Sequence, residues 1–316
     1  MKPKKWAYLL TGLMYPYKCV YPDTELTLSE SIEEINLEKI GVRLKRVFLT
    51  EKERIREVPI QYECMDRFIF YINDGIRNDN FAQTFVDAVM SALALVYDVA
   101  RGEIPTAIPI AEDKIRKGRF IRFKDIVGSN GVGSELYFEV MGATGVGEDV
   151  LNKVWSIVPA IVENRPLMNA TSFYRESIMQ AWASGPDVSP IMWTKPFIPS
   201  SITERARIET AYQNAFKAIE AVIGEPPKDE RKLKVKLIQS GISPDEKVGY
   251  EMYGEKPGRE TILKKIVDVQ RIRDKKAAHA KTNTPRGISY CELKDKQELA
   301  RYILLSHIQN LNKSLN

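Results

Sequence analysis

Residues 201–227, "SITERARIETAYQNAFKAIEAVIGEPP", constrain the fold more than any other stretch of this chain. Ser201 and Glu204 have the spacing of a capping box, in which a hydroxyl and a carboxylate each take up an amide proton at the start of a helix. Ile208, Ala211, Tyr212, Ala215, Phe216, Ile219, Val222 and Ile223 then recur at three- and four-residue steps, the rhythm that gathers apolar side chains on one helix face. Gly224 and the pair Pro226–Pro227 stop it. A helix with so wide an apolar stripe is stable only when packed, so its neighbours must present matching faces.

The flanking sequence offers those faces as further helices. "RPLMNATSFYRESIMQAWASGP" reads as a helix with Pro166 in its first turn and Gly185–Pro186 as its stop, and "EDVLNKVWSIVPAIV" as one interrupted near Pro159. Downstream come a short basic helix, "DERKLKVKLIQSG", and a Gly/Pro-containing loop over about 241–258. A helix from about Glu260 toward His279 follows, and a last one from about Asp295 to Leu315. Residues before about 148 differ. "YKCVYPDTELTLS", "VPIQYECMDRFIFYI", "RFIRFKDI" and "SELYFEVM" are rich in β-branched and aromatic residues and read as strands. Among them "NFAQTFVDAVMSALALVYDVA" sets Phe81, Phe85, Val89 and Leu93 at helical spacing. The expected architecture is an α+β N-terminal domain over residues 1–150, followed by an all-α helical bundle over 151–316.

Composition narrows the function classes. At 44% hydrophobic and 28% charged residues the 316-residue chain has the balance of a soluble globular protein. No run of eighteen apolar residues is present, and the N-terminal stretch lacks a small-residue cleavage site, so neither a membrane span nor a signal peptide is expected. Cys19, Cys64 and Cys291 are odd in number and scattered, which fits a reducing cytoplasm, and with two histidines a zinc site is not expected. The net charge of +5 is uneven: residues 201–316 carry 23 Lys and Arg against 16 Asp and Glu. Within them, 259–281 hold eight basic side chains against three acidic ones, the expected footprint for a polyanion or the solvated face of a helix.

Two glycine clusters lead nowhere. Gly142, Gly145 and Gly147 lie between a strand-like and a helix-like run, but Glu148 stands where a dinucleotide fingerprint needs glycine and would repel a pyrophosphate. "GSNGVGS" reads as a hairpin loop, and no Walker-type lysine follows either cluster. The acidic runs "ESIEE" and "EKERIRE" read as exposed faces, without the spacing of a two-metal nuclease.

Histidine–arginine pairs remain. Arg273 precedes His279 by six residues, and Arg301 precedes His307 by six. Tyr302, Ile303, Leu304 and Leu305 between the second pair belong to a packing helix, which makes His307 a partly buried structural residue. Asp274, Lys275, Lys276, Ala277 and Ala278 between the first pair put a short acid beside the guanidinium and leave room at the imidazole. Along a straight helix six residues separate side chains by ~9 Å and roughly 120°, so one copy hardly converges on one phosphate, whereas two copies across a twofold axis can.

"RDKKAAH" in the penultimate helix resembles the R-[N/D]-x4-H motif of the HEPN superfamily, and "ATSFYRESIMQAW" followed by "AYQNAFKAIEAVIG" is similar to the first two helices of ApeA-like HEPN domains of prokaryotic defence proteins. The resemblance covers about residues 160–316. It implies a HEPN-like helical bundle acting as a dimeric, metal-independent endoribonuclease without a cofactor, in phage defence or as a toxin. On that footing His279 is the general base or acid, Arg273 stabilises the developing phosphoryl charge, and Asp274 orients the guanidinium or the dimer contact. Lys275, Lys276 and Lys281 are then contacts to the RNA backbone. Some members carry a modified tyrosine two positions after the histidine; Lys281 stands there, so silencing by that route is not expected. Other HEPN proteins bind RNA or act as scaffolds without catalysis, which is the alternative the resemblance leaves open.

Overall fold

The computed structural model describes residues 6–11, 25–55, 58–62, 68–74, 79–96, 106–110, 120–122, 148–182, 201–248, 260–272 and 287–314. These residues are mainly helical. They form two compact units, the first taking in residues 1–96 and 103–162 and the second 97–102 and 163–316. Among the described residues no helix is long and apolar enough to cross a membrane.

The first unit contains strands β1 (Trp6–Thr11), β2 (Glu25–Leu37), β3 (Val42–Ile55), β4 (Val58–Tyr62), β5 (Phe68–Asp74), β6 (Thr106–Ile110) and β7 (Phe120–Arg122). They make one sheet in the order β6-β1-β5-β3-β2-β7, with β4 also pairing with β3. Every pairing is antiparallel. β2 and β3 form the longest hairpin, with Leu37 opposite Val42 and a register shift between Leu28 and Ile32. Its turn needs Gly41, whose φ of 65° lies in the left-handed region that a side chain disfavours. The segment "SELYFEVM" and both glycine clusters lie outside the described residues.

Helix α1 (Asp79–Val96) carries the predicted stripe, with Phe85, Val89 and Leu93 fully buried. Burial runs on through Ala88, Ala92 and Leu95, so the helix is enclosed on more than one side, as its apolar run from Ala88 to Val96, broken only by Ser91, allows. Helix α2 (Glu148–Glu163) departs from expectation because it is continuous through Pro159. Proline forfeits one backbone hydrogen bond there. Val154, Ile157, Val158 and Ile161 are all buried around it, and that packing holds the helix together.

Only Asn164 separates α2 from α3 (Arg165–Trp182). Its side chain caps α3 by accepting from the Leu167 amide at 3.0 Å, which leaves Pro166 in the first turn as expected. The other helices of the second unit are α4 (Ile202–Ile223), α5 (Glu230–Gln239), α6 (Ile262–Ile272) and α7 (Tyr290–Ser314). Ser201 caps α4 through the Glu204 amide, and Ile208, Ala211, Tyr212, Ala215, Phe216 and Ile219 are all buried, as the periodicity predicts. Ser177 Oγ donates to Ala211 O, and α3 and α4 pack against each other extensively. α7 pairs with both and is the central helix of the unit, Leu293, Leu299, Ala300, Ile303 and Leu304 being inaccessible to solvent. It begins five residues before the expected Asp295, because Ser289 and Glu292 form a reciprocal capping box: the Ser289 amide donates to Glu292 Oε2 at 2.9 Å and the Glu292 amide to Ser289 Oγ at 3.2 Å.

α5 is closed at both ends. Asp229 Oδ1 accepts from the amides of Arg231 and Lys232. At the other end the Gly241 amide donates to Ile238 O and the Ile242 amide to Leu237 O, both at 2.9 Å, the pair of bonds that defines a Schellman motif. Gly241, at φ 73°, supplies the left-handed residue this requires. Strands β8 (Lys247–Val248) and β9 (Glu260–Thr261) pair briefly before α6.

Candidate functional site

Arg273, Asp274, Lys275, Lys276, His279 and Lys281, the six residues singled out in the sequence, lie outside the described residues. The structure does describe both flanks of their segment. α6 ends at Ile272, and the chain is described again from residue 287 into α7. Ile288, Tyr290 and Leu293 belong to one buried apolar cluster with Ala181 of α3 and Ile208, Ala211 and Tyr212 of α4, and Ile272 packs against the same cluster. Ile272 and Ile288, described on either side of residues 273–286, thus share one apolar cluster of the helical unit.

That place is polar at its edge. The Tyr290 hydroxyl donates to the Glu204 carboxylate, tying the first turn of α7 to the first turn of α4. Three of the cations in the basic stretch are described, and each is matched to a carboxylate. Lys264 pairs with Glu260, Lys265 with Asp295, and Arg271 with Asp268 at 3.2 Å. Lys265 is buried, so its ion pair with Asp295 links α6 to α7 in a setting where removing one partner is costly.

Deeper between the helices α7 carries polar side chains that the sequence reading passed over. Lys294, Lys296 and Gln297 are all about 1% exposed, a rare state for lysine. Lys296 Nζ lies 3.3 Å from the centroid of the Tyr212 ring and 4.7 Å from that of Phe216, a cation held over two aromatic faces. Lys294 Nζ is 3.6 Å from the Glu298 carboxylate one turn on. Gln297 Nε2 donates to Ser177 Oγ at 3.0 Å and to Ser177 O at 3.2 Å, and Ser177 Oγ donates to Ala211 O at 2.7 Å. This chain of bonds joins α7, α3 and α4 inside the core. The Tyr212 hydroxyl is buried without a hydrogen-bond partner. Burial first, then the carboxylates of Glu292, Asp295 and Asp268, push its pKa well above the usual phenol range. Burial and the neighbouring Glu292 likewise raise the Cys291 thiol.

The second arginine–histidine pair has a structural setting. His307 is half-buried on α7 and its Nδ1 lies 3.2 Å from Ser240 O. A carbonyl only accepts, so Nδ1 carries the proton. Arg301 faces Glu298 at 3.7 Å. Among the described residues no three His, Cys, Asp or Glu side chains gather as a metal-binding group.

Compared with models of protein families, with curated proteins and with solved structures, the chain matches none.

Proposed function

We propose that the chain is a metal-independent endoribonuclease of HEPN type, active as a cytoplasmic homodimer, with chemistry in the helical domain over 151–316 and a sensing or regulatory role for an α+β domain over 1–150. The observation that supports this reading is that Ile272 and Ile288, the described residues flanking the segment that bears Arg273 and His279, pack on one apolar cluster. In the reaction the RNA 2′-oxygen attacks the adjacent phosphorus. One imidazole of the His279 pair takes the 2′-hydroxyl proton, and the other, protonated, delivers a proton to the leaving 5′-oxygen. The P–O5′ bond breaks, leaving a 2′,3′-cyclic phosphate and a 5′-hydroxyl. Arg273 stabilises the charge that grows on the non-bridging oxygens, Asp274 holds the guanidinium, and Lys275, Lys276 and Lys281 grip the backbone. Defence against phage, or action as a toxin, is the setting for such an activity.

The test uses purified protein and single-stranded RNA in EDTA. Cleavage to 2′,3′-cyclic phosphate ends is expected, with loss of at least 100-fold in rate for His279→Ala, in line with general acid–base catalysis. Cleavage that survives this substitution refutes the assignment. Binding without cleavage by the unaltered protein replaces it with a non-catalytic RNA-binding or scaffold role.

A further inference from the structure

The basic helix α5 is the feature of the second unit that the proposed reaction leaves unused. Leu233 and Leu237, both inaccessible, hold it to the unit. At 100° per residue, Arg231, Val235 and Ile238 fall within roughly 60° of one another on the opposite side. Val235 is 55% exposed and Ile238 58%, two of the four large apolar side chains with such exposure among the described residues. Lys232 and Lys234 flank this strip.

The cations differ in their engagement. Lys234 is turned to Asp245 at 3.0 Å and Lys236 Nζ to Glu225 O at 2.8 Å. Arg231 and Lys232 are exposed and make no ion pair among the described residues, Asp229 accepting only from their backbone amides. Both stand in the first turn of the helix, where the macrodipole disfavours positive charge, and only Asp229 and Glu230 offset them. Exposed cations without an ion pair among the described residues, beside exposed aliphatic side chains, give this face both the charge and the apolar surface that a nucleic-acid strand can meet.

We infer that this face of α5 is an RNA-backbone contact, with Arg231 and Lys232 on phosphates and Val235 and Ile238 against sugar and base. The inference rests on the reading of the chain as an RNA-directed protein. A membrane surface fits less well, because two aliphatic side chains are too few to anchor an interfacial helix. The strip from Arg231 to Ile238 rises only ~10 Å, so it engages about two phosphates.

The experiment measures binding of a fluorescent, unstructured RNA to the full chain carrying His279→Ala, which prevents turnover, over a salt series. Adding Arg231→Gln and Lys232→Gln, neutral changes that keep helix propensity, should lower the slope of log K against log salt by about 1.4, or about 0.7 per phosphate. Affinity near 0.15 M salt should fall roughly tenfold. Ile238→Ser should weaken binding several-fold and leave the slope unchanged. If the parent binds RNA and the Arg231/Lys232 variant matches it in slope and affinity, the α5 contact is overturned while the RNA reading stands. If the parent binds no RNA, both fall.

Discussion

Gln297 offers the most direct test of how the helical unit is held together. Its amide donates twice to Ser177, and Ser177 in turn donates to Ala211 O, so a side chain of α7 is linked through α3 to α4. Gln297→Ala deletes two buried hydrogen bonds at about 1 kcal/mol each and two buried methylene-scale groups at about 0.8 kcal/mol each, for a loss of about 3 to 4 kcal/mol. Ser177→Ala removes the hydroxyl but leaves the Ser177 carbonyl to accept from Gln297, so about 1.5 kcal/mol is expected. The bond from Gln297 to Ser177 Oγ is counted in both single changes. The double variant should therefore be less destabilised than their sum by about 1 kcal/mol. Hydrogen exchange followed by mass spectrometry on peptides from α3, α4 and α7 reads these opening free energies within the unit, without requiring the whole chain to unfold in one step. Additivity within about 0.3 kcal/mol would show that the two side chains do not share a bond.

Two further predictions address α4 and α7. Because the folded state raises the Tyr212 pKa, the native protein keeps a proton that the unfolded chain loses above about pH 10; this contribution is intact below that pH and is lost as pH climbs toward the folded value. The wild type should thus lose about 1.4 kcal/mol in total more than Tyr212→Phe between pH 9 and pH 11, most of it above pH 10, read as urea midpoints at pH 9, 10 and 11, and equal slopes would contradict it. Ser289→Ala should cost about 1 kcal/mol by breaking the capping box, so that amide exchange in the first turn of α7 speeds up about fivefold while the turns around Ile303 and Leu304 keep their protection.

The legible parts of the fold were those written in periodicity and caps. The Ser201 cap, the buried face of α4 and the stop at Gly224 could all be read directly, because each depends on residues within a turn of one another. α2 was misread at Pro159 since the energy that carries the helix through comes from burial of Val158 and Ile161, which local propensity does not contain. The early start of α7 was missed although "SYCE" holds a capping-box pattern, the helix being expected only from about Asp295. β3 went unnamed because charged residues interleave with the apolar ones in "VRLKRVFLTEKERI".

For the candidate site the limits differ. Arg273 and His279 were singled out by residue type, spacing and family resemblance, and they lie outside the described residues. The shared packing of Ile272 and Ile288 on one cluster is a long-range property that no window of sequence displays. Lys294, Lys296 and Gln297 were passed over because lysine and glutamine in a helix ordinarily face water. Their burial follows from the central position of α7, with neighbours on several sides at once.

The C-terminal end of α5 is also completed from elsewhere in the chain. His307 Nδ1–H reaches Ser240 O and the Asn310 side-chain amide reaches Gly241 O, so two backbone carbonyls at the exit of α5 depend on side chains of α7. A ten-residue helix is too short to persist alone in water. A synthetic peptide spanning 228–242 should therefore be unstructured and lack any ordered arrangement of Arg231, Val235 and Ile238. Order in that strip therefore depends on the C-terminal half of α7 being docked on α5.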